Sequence, residues 1–310
     1  MKIYLSFLGI IFSAISLNAF AESFSWGNVI FQPRAYVGYA DFTLKASEFA
    51  DFTYQNPIDG SQNKKESWVL ALPSVHKLQL HGPLLGIGGT VAIGSFFGDV
   101  YYQSTQNEET GDSSLEEDAL FKTNYNSPKL EHKDWAFSLG YLLTEQWSIF
   151  VGYKSGDTEW RQTVQYTSPQ VATYSGNRNI GGKFEQEGPF IGTAYSWPVG
   201  PGLVTIRAAY AYLDGKDQEY SDFIDSDGVS ESSAWHLDGN SDAYAIGLSW
   251  TQNMTENLGY SIGVNYHNYE FEMSGGIAQN LKAGTTRATL KNISMTEELL
   301  TLSASVIYRF

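Results

Sequence analysis

The sequence predicts an all-β chain: a single antiparallel up-and-down transmembrane β-barrel of about ten strands, with roughly eight and twelve as its bounds. Three observations carry this. Residues 301–310 alternate: Leu302, Ala304, Val306, Tyr308 and Phe310 share one face, and Thr301, Ser303, Ser305 and Arg309 the other, with Ile307 out of step. Such alternation places one face in an apolar medium and the other against polar surroundings. Stretches of this kind recur along the chain and are joined alternately by short turns and long polar segments. Beyond residue 21 no apolar run approaches the about 20 residues that a helical span needs.

The elements follow in order. The first strand covers about 31–43, with Phe31, Ala35, Val37 and Tyr39 in one phase and a change of phase near Asp41. A polar segment, 45–65, leads to a second strand at about 66–80, where Trp68, Leu70, Leu72, Leu78 and Leu80 define the lipid phase. His81-Gly82-Pro83 reads as a tight turn. The third strand, 84–102, sets Leu85, Ile87, Val91, Ile93 and Phe97 against Gly86, Gly88, Thr90, Ala92 and Gly94. Bulky residues opposite tiny ones suit a narrow barrel with a crowded interior. An acidic segment, 103–134, follows. Three hairpins then repeat the pattern, turning near Glu145, Gly200 and Thr255, with polar segments at about 158–183, 213–242 and 272–291 before the last strand.

The ends agree with this reading. Lys2, an apolar run at 3–17 and Ala19-Phe20-Ala21 form a secretory leader, so residues 1–21 are expected to be cleaved after Ala21 and 22–310 to form the barrel domain. The chain has no cysteine, which excludes a disulfide scaffold and thiolate metal sites. A net charge of −15 argues against a nucleic-acid partner.

A terminal strand closing on Tyr308 and Phe310 resembles the closing strand of Gram-negative outer-membrane β-barrels. The resemblance implies a cell outer membrane location, short periplasmic turns, long extracellular loops and a C-terminal signal at Tyr308 and Phe310 for the barrel-assembly machinery. Outer-membrane lipid and lipopolysaccharide are then its surroundings. No subunit-contact motif is visible.

Candidate functional residues fall in two groups. Arg34, Lys77, Lys154, Arg207 and Arg309 lie in the phase expected to face the lumen, with His267 beside Asn265 on the ninth strand. They read either as an anion-attracting, selectivity-setting interior or as a salt-bridged plug with inward acid partners. The second group is the acidic fourth loop. Asp225-Ser226-Asp227-Gly228 begins like an oxygen-ligand calcium loop, with Asp225 and Asp227 as ligands, but the twelfth position is His236 rather than glutamate. A solvated acidic surface, bridged to lipopolysaccharide by divalent ions, is the other reading. No organic cofactor is expected.

The strand number, five long outer loops and length also resemble the omptins, which are outer-membrane proteases. That family's motif needs Asp-x-His in the fourth loop and an acidic pair in the second. Here the stretch is Asp214-Gly215-Lys216; His236 and Asp238 come later in reverse order, and Asp99 has no twin. Three functions follow as expectations: a narrow porin-like channel for small solutes, a closed-lumen surface protein whose acidic loops bind a partner or divalent cations, or an omptin-like surface protease.

Overall fold

The computed structural model describes residues 29–46, 50–55, 62–68, 77–107, 114–117, 122–125, 129–167, 176–225, 230–281 and 284–310. The expected leader at 1–21 lies outside them. The described strands are β1 (Val29–Ala46), β2 (Ala50–Gln55), β3 (Gln62–Trp68), β4 (Lys77–Ile93), β5 (Phe96–Asn107), β6 (Ser114–Glu117), β7 (Lys122–Tyr125), β8 (Lys129–Leu142), β9 (Trp147–Thr167), β10 (Gly176–Val199), β11 (Gly202–Asp225), β12 (Ser230–Asn253), β13 (Leu258–Leu281) and β14 (Gly284–Tyr308). Ten of them, β1, β4, β5 and β8 to β14, pair in that order, and β1 pairs with β14 to close the ring. Every pairing is antiparallel, including the closing register from Arg34 opposite Ile307 to Ala46 opposite Met295. Closure leaves no edge, as a sheet in lipid requires.

Two strand boundaries differ from expectation. His81-Gly82-Pro83 does not turn the chain: β4 runs through it, paired in that order to Asp41, Ala40 and Tyr39 of β1. The turn lies at Gly94-Ser95, where Gly94 takes φ +59°, a left-handed conformation that glycine adopts without steric cost. The expected third strand is therefore the β4–β5 hairpin, and the ring total of ten still holds. The expected polar loops at 158–183, 213–242 and 272–291 are also mostly strand, because β9 to β14 continue through them.

The physical reason is a change of solvent along each strand. Near the short turns the outward residues are large and apolar, such as Leu85, Ile87, Ile191 and Ile246, each more than half exposed. Only lipid makes that arrangement favourable. Further along the same strands the outward residues become polar and the inward ones become bulky. Phe42, Leu80, Trp160, Phe184, Leu213, Leu237, Phe271 and Met295 are all buried in one core. Strands β10 to β13 have 24 residues each, against the about 9–11 that a tilted strand needs to cross a bilayer. The lower half of each spans lipid, and the upper half forms a water-exposed barrel with an apolar interior. This also corrects the phase of Leu78 and Leu80, which face inward, not toward lipid.

One carboxyl breaks the pattern of the upper core. Asp217, flanked by Phe184 and Leu237 on the adjacent strands and 2% exposed, sits above the membrane-spanning part of β11. Burial pushes its carboxyl from 3.8 up to about 7. The folded state therefore keeps the proton where the unfolded chain loses it. Its stability contribution is full below about pH 4 and is lost as pH rises toward 7. Asp217→Asn is expected to flatten that slope, read as urea midpoints at about pH 4.5 and 7.5. An unchanged slope in the variant would assign it to another group.

Candidate functional site: a polar layer and a chamber inside the barrel

The inward faces of the strands stack into three levels. Toward the short turns the interior carries short hydroxyl side chains, including Ser148, Ser196, Thr205, Ser249, Ser261 and Ser303, all buried. At the far end is the apolar core. Between them lies a layer of charged and polar groups.

Asp134 of β8 centres that layer at 0% exposure. The Lys154 ammonium lies 3.2 Å from its Oδ1. His132 Nε2 lies 3.2 Å from its Oδ2, and the Gln103 amide donates to that oxygen at 3.1 Å. Two bonds cross the lumen. Lys154 Nζ on β9 donates to the Tyr269 hydroxyl on β13 at 2.6 Å. Gln186 Nε2 on β10 donates to Glu297 Oε1 on β14 at 2.7 Å. The partners in each case are separated by several intervening strands of the ring. Side chains joined this way occupy the barrel axis. The ring of Phe42 on β1 lies tilted against His132 of β8, with ring centres 4.7 Å apart, and Phe184 of β10 meets Phe271 of β13 edge-on at 5.0 Å.

A second charged cluster lies lower. Arg34 grips Asp99 through both guanidinium Nη atoms, at 2.7 and 2.9 Å, and donates to Thr90 at 3.0 Å. Thr90 in turn donates to Asp99 Oδ2 at 2.6 Å. A planar fork on a carboxylate is the strong form of this contact. Between the two clusters is a chamber of about 160 Å³ lined in part by Tyr36, Phe97, Asp99, Tyr101, Phe150, Lys154, Phe190, Arg207, Asn265, His267 and Tyr269.

Three of the six expected lumen residues, Lys154, Arg207 and His267, line this chamber, and Arg34 borders it through Asp99. His267 Nδ1 is 2.7 Å from the Tyr269 hydroxyl. Arg309 is half-buried and separate, at the short-turn mouth beside Asn257, whose amide donates to its carbonyl at 2.9 Å. Lys77 is the exception. It opens β4 opposite Lys45, at the edge of the described residues. Asp227 lies outside the described residues, and Asp225 is the terminal residue of β11. Among the described residues no three carboxylates or histidines gather into a metal site.

His132, Asp134, Gln186, Tyr269 and Glu297 were not legible as lumen residues. Four of them sit in segments that read as polar loop or its border. The one available signal was His132-x-Asp134, whose spacing puts both side chains on one face of a strand directly before the aromatic Trp135.

Neither a family model nor a curated protein matches the sequence. Structural comparison does find likeness. The outer membrane protease OmpT from Escherichia coli aligns with a TM-score of 0.57 over 91% of this chain and 97% of that one, at 11% identity. The chain has the fold of a Gram-negative outer-membrane β-barrel. Two further barrels align with lower scores: the translocator domain of the autotransporter NalP from Neisseria meningitidis, at TM-score 0.39, 10% identity and 95% and 93% coverage, and OprG from Pseudomonas aeruginosa, at 0.27, 12%, and 91% and 95%.

This outer-membrane barrel shares architecture with OmpT at an identity that speaks to fold alone. The residues of β11 and β12 standing nearest to the fourth-loop omptin motif face out from the wall. Asp214 and Lys216 are exposed on β11, and His236 and Asp238 are exposed on β12 with Nε2 and Oδ2 3.7 Å apart. At the other end of the barrel, Phe310 closes the ring seam. Its amide donates to the Phe31 carbonyl at 3.0 Å, and its ring stacks on Phe31 with centres 5.9 Å apart and meets Tyr308 edge-on at 4.7 Å.

Proposed function

We propose that this outer-membrane barrel is a closed-lumen surface protein, not a diffusion channel for small solutes. The observation that carries the reading is the pair of bonds across the lumen, Lys154 to Tyr269 and Gln186 to Glu297, roofed by the apolar core around Phe184 and Phe271. A solute passing through would have to break both bonds and part the apolar side chains above them. A porin interior is instead continuous and wet. The cations expected to set selectivity at the centre are engaged: Arg34 with Asp99 and Lys154 with Asp134. This supports the plug reading of those residues.

The outer wall fits a surface role. Glu187 lies opposite Asp214 across one strand pair, and Asp242 opposite Glu270 across another, all exposed near the outer aromatic residues Tyr212 and Tyr244. Like charges directly opposite repel, and divalent cations shared with lipopolysaccharide phosphates would relieve that repulsion. The seam contacts of Tyr308 and Phe310 support their reading as the signal for the barrel-assembly machinery, with the leader removed after Ala21.

Liposome swelling tests the proposal. Vesicles carrying the refolded barrel are expected to swell in small sugars and amino acids no faster than empty vesicles. Swelling that grows with protein content and falls with solute size would restore the porin-like reading.

A further inference from the structure

The chamber below the polar layer is bordered by rings that lie against the wall rather than across the axis. Phe97 lies over Gly140, Phe150 over Gly192, Phe190 over Gly152 and Tyr36 over Gly86, each pair directly opposite on adjacent strands. In every case the ring fills the space where a Cβ would be. The glycines leave room for the rings at the wall, and about 160 Å³ stays open between them. An apolar cavity of about 150 Å³ admits one benzene ring.

The charged groups bordering this space are engaged. Lys154 is held by Asp134 and Tyr269, Asp99 by Arg34 and Thr90, and Arg207 has an interaction of its own. A charged ligand would enter without a counter-ion, at the cost of an unpaired buried charge. The chamber therefore selects a neutral molecule.

One neutral polar group stands differently. Lys154 Nζ donates to the Tyr269 hydroxyl at 2.6 Å, and an ammonium has no lone pair with which to accept in return. The Tyr269 proton therefore goes to His267 Nδ1, 2.7 Å away. An imidazole that accepts at Nδ1 is neutral and carries its own proton on Nε2. His267 is in the chamber lining, and Nδ1 is its one hydrogen-bonded nitrogen among the described residues. The Nε2–H is left as a donor for whatever fills the space.

We propose that this chamber binds one small neutral aromatic molecule with a single oxygen acceptor, its ring beside Phe97, Phe150 and Phe190 and its oxygen on the His267 Nε2–H. The inference rests on the closed-lumen reading, because an open pore would not enclose the site. An aliphatic ring of the same size loses the ring-to-ring contact, and an ionised one brings the unpaired charge, so both bind more weakly.

Titration calorimetry of the refolded full barrel in detergent tests this, with benzyl alcohol, cyclohexylmethanol, benzoate and benzylammonium as probes and only saturable heat counted. Benzyl alcohol is expected to bind at one site per barrel, about threefold more tightly than cyclohexylmethanol and at least about tenfold more tightly than either ion. His267→Leu is expected to weaken benzyl alcohol about fivefold. Phe150→Leu combined with Phe190→Leu removes ring atoms and no polar group. It is expected to erase the preference over cyclohexylmethanol, and it decides the matter if His267→Leu fails to fold. No saturable benzyl alcohol binding, an ion or cyclohexylmethanol that binds as tightly, unchanged affinity in folded His267→Leu, or a preference that survives the loss of both rings would overturn the proposal. Ion conductance of the same preparation separates the two readings. A silent barrel that ignores benzyl alcohol overturns the ligand alone, whereas a conducting one overturns the closed lumen.

Discussion

Asp134→Asn is expected to destabilise the barrel by about 3–5 kcal/mol, the usual cost of breaking one side of a buried ion pair. Asp134 is wholly buried, pairs with the Lys154 ammonium at 3.2 Å, and is hydrogen-bonded to His132 and Gln103. An amide in its place leaves the Lys154 ammonium with the Tyr269 hydroxyl and without the carboxylate it pairs with at 3.2 Å. The loss comes from the orphaned charge, not from the absent bonds. The double variant Lys154→Met with Asp134→Leu is therefore expected to be closer to the parent than Asp134→Asn alone. Urea midpoints followed by tryptophan fluorescence in lipid vesicles measure both. Additive losses would show that the pair is not coupled and would weaken its role as a lumen closure.

Phe271→Ala carries the second large effect, about 3–5 kcal/mol for a buried aromatic replaced by a methyl. Phe271 is fully buried, meets Phe184 edge-on at 5.0 Å and covers Gly215 on the facing wall. Its place above the lipid zone makes the effect regional. Amide exchange should quicken in the upper parts of β11, β12 and β13, while amides between Tyr260 and Tyr266 stay slow. Phe271→Leu, which keeps most of the volume, is expected to cost no more than about 1.5 kcal/mol. Equal exchange in both halves would mean that the two zones unfold as one unit.

The membrane half of this fold was legible because lipid writes a simple rule. From Trp135 to Tyr141, or from Tyr244 to Trp250, large apolar residues fall on alternate positions with small ones between. The upper half was not legible, because there the same rule runs in reverse. On β13 the apolar phase is even through Ile262, Val264 and Tyr266, then odd through Tyr269, Phe271 and Met273. A change of parity looks like the end of a strand when it is the surface of a bilayer. Water replaces lipid outside, and the apolar residues move inward on an unbroken ladder. The same change hid the site. Arg34, Lys154, Arg207 and His267 could be found because they sit in the lipid zone, where the inward phase is unambiguous. Asp134, Gln186 and Glu297 sit just beyond it, among residues whose polarity matches a loop. That Lys154 meets Tyr269 depends on a contact between residues 115 positions apart, which single-strand periodicity does not encode.

Single-channel recording in a planar bilayer tests the central claim most directly, because ions are the smallest probes of a path through the lumen. The refolded, heat-modifiable barrel is expected to give no stable current steps at any applied voltage that the bilayer tolerates. Regular steps that scale with salt concentration, and that change ion selectivity in Arg207→Ala, would contradict the closure by Lys154, Tyr269, Gln186 and Glu297 and return the barrel to the channels.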